Sequence, residues 1–295
     1  MWARYPDQEG YVERGGVRTL YEIYGNGTPT VLFLPAWAIC HSRIWKGQIP
    51  YFARHYRVVT FDPRGNGRSD RPLDPAAYAD TEYVQDALAI MDATQTERAV
   101  IVGVSSGGWL AAILAAYYPD RVLAAVMAGS ASPLGQPLPE KTVYSFEDRL
   151  ETEDGWAKLN RHYWRKDYRG FLEFFYSKVF PEPHSTKQIE DGVTWGLETT
   201  PEVLAATVED RGVLNDLKDH PEEAAAFYRS IRCPVLVMHG DQDKIISYTR
   251  GVAIAQAIGA PLVTMVGGGH HNFGRDQVKA NLVLRAFIDR VSVPH

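Results

Sequence analysis

Short, unbroken apolar runs alternate with stretches of helical period along most of this chain. The runs at residues 30–34, 56–61, 99–102 and 124–127 contain few polar positions. That is the pattern of strands buried on both faces of a parallel sheet. Between them, residues 81–93 place Tyr83, Val84, Ala87, Leu88 and Met91 on one side of a helix. A second helix begins near Gly107, ahead of the run at 124–127. Residues 12–24 carry Val17, Leu20, Tyr21 and Ile23 around a Gly15-Gly16 turn, which predicts a hairpin. The alternation stops after Gly129. Residues 135–228 read as mostly helical, rich in charge and aromatics, and the strand rhythm returns at 234–238 and 262–266. A last helix is predicted over 277–290. The chain therefore divides into an α/β core (1–134 and 229–295) and a helical insertion, or cap, at 135–228.

Composition narrows the function classes. The 295 residues carry a net charge of -5, which disfavours nucleic acid as a partner and a polybasic membrane anchor. No run approaches the roughly 20 apolar residues that span a bilayer. The stretch Met1 to Asp7 lacks the apolar core of a secretory signal, so a cytoplasmic location is expected. The two cysteines, Cys40 and Cys233, cannot form a disulfide framework and have no metal spacing. No metal or cofactor is expected. A monomer or small homo-oligomer acting on a small molecule fits this profile.

Gly103-Val104-Ser105-Ser106-Gly107 brings in chemistry. This G-x-S-x-G stretch sits between a predicted strand and a predicted helix. There the serine occupies a strained turn that lifts its hydroxyl above the sheet. Ser106 is the rival nucleophile, but Val104 stands where a glycine would precede it. A serine needs a base, and the base an orienting acid. Two later segments supply them at strand ends: His239-Gly240-Asp241-Gln242-Asp243 and Gly267-Gly268-Gly269-His270-His271. From spacing alone both aspartates and both terminal histidines remain open. The Gly65-Asn66-Gly67 turn is not a phosphate loop, because no lysine follows it.

Together with Asp62-Pro63-Arg64-Gly65-Asn66-Gly67-Arg68-Ser69, these segments resemble the α/β-hydrolase superfamily over nearly the whole chain. The resemblance implies a mostly parallel eight-stranded sheet with helices on both faces and a helical cap after the sixth strand. It implies Ser105 as nucleophile, Asp243 rather than Asp241 as the acid, and His270 rather than His271 as the base. The backbone N–H groups of Ser106 and Trp37 would form the oxyanion hole. Many relatives have His-Gly where this chain has Pro35-Ala36-Trp37, so the bracing of that loop must differ. Arg64 is expected to brace neighbouring loops. His41, Trp164, Phe174 and Trp195 are the candidate substrate contacts, and Phe171, Phe174 and Phe175 are expected on one helix face. The loop at 34–45 is similar to a subgroup that includes serine-dependent macrolide esterases. The implied activity is hydrolysis of a carboxylic ester or lactone with a bulky apolar body, a macrocyclic lactone being the specific case, with antibiotic resistance its context. C–C bond hydrolysis of a diketone-like substrate uses the same triad, and a non-catalytic ligand receptor could share the scaffold. Dehalogenases and epoxide hydrolases of this fold carry an aspartate where Ser105 stands.

Overall fold

A computed structural model describes residues 4–209 and 212–292; Met1, Trp2 and Ala3, which belong to the leader reading, lie outside the described residues. Eight strands form one sheet: β1 (Gln8–Arg14), β2 (Val17–Tyr24), β3 (Thr30–Phe33), β4 (Arg57–Phe61), β5 (Ala99–Val104), β6 (Val122–Ala128), β7 (Val235–Gly240) and β8 (Leu262–Met265). Their order across the sheet is β1-β2-β4-β3-β5-β6-β7-β8. β1 and β2 form the antiparallel hairpin, and β2 pairs antiparallel with β4. Every pair from β4 to β8 is parallel. β5 and β7 are buried at every position, as continuous apolar strands covered on both faces must be.

Two apolar layers follow from that. One face packs against helices Asp80–Ala93, Ser106–Tyr117 and Tyr248–Ile258. The other packs against the C-terminal helix Gln277–Val291 and against residues from the segment between β6 and β7. Parallel strands connected this way all end on one side of the sheet, where open α/β sheets collect their ligands.

The segment at 135–228 contains helices Arg161–Lys166, Tyr168–Val179, Thr186–Gly196, Pro201–Glu209, Val213–Leu217 and Pro221–Arg229. Its opening part differs from the helical expectation. Residues 135–154 contain only the 3-10 turn Pro139–Lys141. Pro133, Pro137 and Pro139 remove donors and restrict the residue before each, so no helix can run through them. This irregular stretch is nevertheless the one that carries Lys141, Tyr144 and Phe146 to the cavity described below.

Candidate active site

Ser105 stands between β5 and helix Ser106–Tyr117 at φ 58° and ψ −123°. This left-handed conformation costs a residue with a Cβ on the order of 1–3 kcal/mol. The surroundings enforce it. The Ser105 N–H donates to Ala128 O at 2.9 Å, and Ala131 N–H donates to Ser105 O at 3.0 Å. A Cβ on Gly103 would land on the Gly107 carbonyl, and one on Gly107 would meet Pro35 O at 2.5 Å. The flanking glycines are thus required by backbone packing on both sides of the serine.

Asp243 follows β7 and is buried. Its Oδ1 accepts the Ile245 and Ile246 N–H groups at 2.7 and 2.9 Å. Its Oδ2 accepts from His270 Nδ1 at 2.8 Å and lies 3.1 Å from His239 Nε2. Burial pushes the carboxyl up, but the adjacent His270 ring and the hydrogen bonds from His239 and His270 outweigh it. Asp243 is therefore held well below the usual carboxylate range. Asp241 points elsewhere, accepting the Gly267 N–H at 2.8 Å as a turn residue would. His271 packs between Trp45 and Phe180, and both of its ring nitrogens lack a hydrogen-bond partner among the described residues. Burial, then the neighbouring His270, pushes it down to about 3.

His239 was not among the residues singled out for chemistry. Its Nε2 sits between two acceptors, Ile246 O and Asp243 Oδ2, each at 3.1 Å, so that nitrogen carries the hydrogen.

Ser105 and His270 both face a cavity of about 270 Å³. Among the described residues, no hydrogen bond joins Ser105 Oγ to His270. Such contacts are often long in unliganded sites and tighten when substrate binds. Ser106 and Trp37 also line the cavity, and so does Trp195. Trp37 is braced from the insertion: its Nε1 donates to Thr207 Oγ1 at 2.6 Å, and its ring meets Phe175 at 5.5 Å. Asn66 donates to Ala38 O at 2.9 Å and to Trp195 O at 3.1 Å, while Tyr176 donates to Ile39 O at 3.0 Å. These bonds brace the loop at 37–39. Arg64 makes a two-pronged bond to Asp86, at 2.7 and 2.6 Å, tying the Asp62–Asp70 turn to helix Asp80–Ala93.

Three of the expected substrate contacts do not line this cavity. Trp164 is buried behind the wall, 4.5 Å from Phe171 and 6.0 Å from Trp37 between ring centres. Phe174 lies on another side of helix Tyr168–Val179, edge-on to Trp156. The face turned to the cavity carries Phe175, Tyr176 and Val179 instead. His41 is off the wall as well. Its Nδ1 lies 3.6 Å from Asp62, its Nε2 3.3 Å from Glu198, and Trp195 separates it from the cavity at 5.9 Å.

A family model described as alpha/beta hydrolase fold matches residues 29–276. The chain is 26% identical over 216 residues to 3-oxoadipate enol-lactonase 2 of Acinetobacter baylyi, covering 73% of this chain and 72% of that protein. It is 29% identical over 265 residues to 2-hydroxymuconate semialdehyde hydrolase of a Pseudomonas species, covering 82% and 80%. A solved structure described as an N-acyl homoserine lactone degrading enzyme superposes with a TM-score of 0.76 at 27% identity. It covers 94% of this chain and all (100%) of that one.

Proposed function

The chain belongs to the α/β-hydrolase fold family, and from that premise we propose that it is a serine hydrolase of carboxylic esters or lactones. One observation carries the proposal. A serine held in a strained turn shares the wall of a largely apolar cavity with a histidine whose far nitrogen is fixed by a buried carboxylate. In this reading His270 Nε2 takes the Ser105 proton as Oγ attacks the acyl carbon. The carbonyl π pair moves to oxygen, where the Trp37 and Ser106 amides receive it. Collapse expels the alcohol, which takes the proton back from His270, and water then cleaves the acyl-enzyme by the same relay. Asp243 fixes the imidazole tautomer and stabilises its positive charge.

The enzymes named for lactone substrates at 26% and 27% identity support the ester or lactone class. The cavity lies just below the roughly 300–1,000 Å³ typical of ligand pockets. A compact apolar ester or lactone fits it as it stands. A macrocyclic lactone, the finer reading that the 34–45 loop supports, requires residues 135–228 to act as a cap that opens. The relative named a semialdehyde hydrolase favours C–C hydrolysis as the second reading.

Ser105→Ala is expected to abolish turnover of a p-nitrophenyl ester, with unchanged circular dichroism, and to abolish labelling by a fluorophosphonate. Retained turnover would falsify the nucleophile assignment, and a wild-type protein that takes no label would favour a receptor. A panel of esters, lactones, macrolides and diketones, read by mass spectrometry for gain of water, decides among the substrate classes.

A further inference from the structure

Lys141 is the single Lys, Arg, Asp or Glu side chain among the described residues on the cavity wall. Its Nζ donates to Ile245 O at 2.9 Å and stands 4.8 Å from the centre of the Trp156 ring. Among the described residues no carboxylate lies within salt-bridge distance of it. The anions that face it are Asp243 and Glu140, and the other cation is Arg250. Asp243 favours the charged ammonium through space but offers it no hydrogen bond, because both carboxylate oxygens already face two backbone amides and two imidazoles. Arg250, which donates to Ser132 O, adds positive potential at the same end.

An ammonium has three N–H bonds. One reaches Ile245 O and one faces the Trp156 ring, which leaves one for the cavity. A half-buried cation without a carboxylate at salt-bridge distance is costly, and an apolar ligand that displaced the remaining water would raise that cost. A carboxylate would lower it by a charge-assisted hydrogen bond. Resting on the hydrolase reading above, we propose that Lys141 selects substrates that carry a carboxylate in addition to the ester or lactone bond that is cut. Burial pushes the Lys141 ammonium down to about 8, so it remains protonated at neutral pH and loses its charge in mildly alkaline solution.

The test uses matched pairs. On the acyl side, mono-p-nitrophenyl glutarate is compared with p-nitrophenyl pentanoate. On the alcohol side, para-acetoxybenzoate is compared with phenyl acetate. The wild-type protein should favour the acid member of one pair in kcat/KM by about tenfold or more, mainly through KM, the scale of a hydrogen bond between charged groups. Lys141→Met, which keeps the stem on Trp156, should reduce that ratio at least to parity, and Lys141→Arg should keep most of it. The ratio should also fall as pH rises past about 8. A ratio at or below one in both pairs, or one that Lys141→Met leaves unchanged, overturns the proposal. If neither pair turns over, calorimetric titration with phenylbutyrate and phenylbutanol decides instead. Acid binding that Lys141→Met loses supports Lys141 and counts against the hydrolase reading alone. Equal binding of acid and alcohol overturns the role of Lys141.

Discussion

Asp243 accepts three hydrogen bonds and lies 3.1 Å from His239 Nε2, and this separates it from Asp241 in a way that spacing could not. Both aspartates follow the same strand in a run of five polar or small residues. Only the fold reveals that one is enclosed by two histidines while the other caps a turn at Gly267. Asp243→Asn is expected to lower kcat by about 10³–10⁴-fold, because an amide facing His270 Nδ1 favours the wrong tautomer. Asp241→Asn should stay within roughly tenfold of the wild type, since it touches a loop bond of about 1 kcal/mol. Ester kinetics on the two purified variants check both. His239 shows the opposite limit of the sequence. A histidine at a strand end has no signature of its own, and only the position of Asp243 relative to its Nε2 reveals the contact.

At the level of elements, strands and the long helices were readable because their apolar positions repeat. Helix Asp80–Ala93 begins one residue before the predicted 81–93, and helix Gln277–Val291 extends one residue beyond 277–290. What repetition cannot supply is the direction a helix faces after docking. On helix Tyr168–Val179 the aromatic spacing was clear, yet Phe175 lines the cavity, Phe171 packs behind Trp37, and Phe174 meets Trp156. The stretch at 135–154 was hidden for another reason: its prolines erase helical period, so the sequence offered no pattern for Lys141, Tyr144 or Phe146. The strand-turn-helix around Ser105 depends on close backbone contact. Gly107→Ala places a methyl 2.5 Å from Pro35 O and must push the Pro35–Trp37 loop away. That strain should cost about 1–3 kcal/mol and lower kcat more than it raises KM. Thermal melting and steady-state kinetics on one preparation test the two effects together.

Across the whole molecule, the sheet class was readable but the strand order was not. β3 enters between β4 and β5, a crossover that no local pattern encodes. The converging strand ends also create a pH liability. His271 is buried between Trp45 and Phe180 and is pushed from its ordinary 6.5 down to about 3. An unfolded chain binds a proton there below about 6.5, whereas the folded protein does not until about 3. The stability contributed by the neutral ring is complete above 6.5 and is lost as pH falls toward 3. By pH 4 the loss approaches roughly 3 kcal/mol at ~1.4 kcal/mol per unit. Urea unfolding from pH 7 to pH 4 should therefore show a shallower fall for His271→Leu than for the wild type. Parallel curves would contradict this account.

The bond from Trp37 Nε1 to Thr207 Oγ1 has a practical consequence for engineers. Recombining this scaffold with the covering helices of a relative would preserve every reactive side chain while removing the tether of a wall residue whose amide is meant to catch negative charge. Such a chimera should fold, take up ligand and remain sluggish until a hydroxyl is restored opposite the indole. On the hydrolase reading proposed above, the catalytic apparatus is braced from outside the core, by helix Pro201–Glu209.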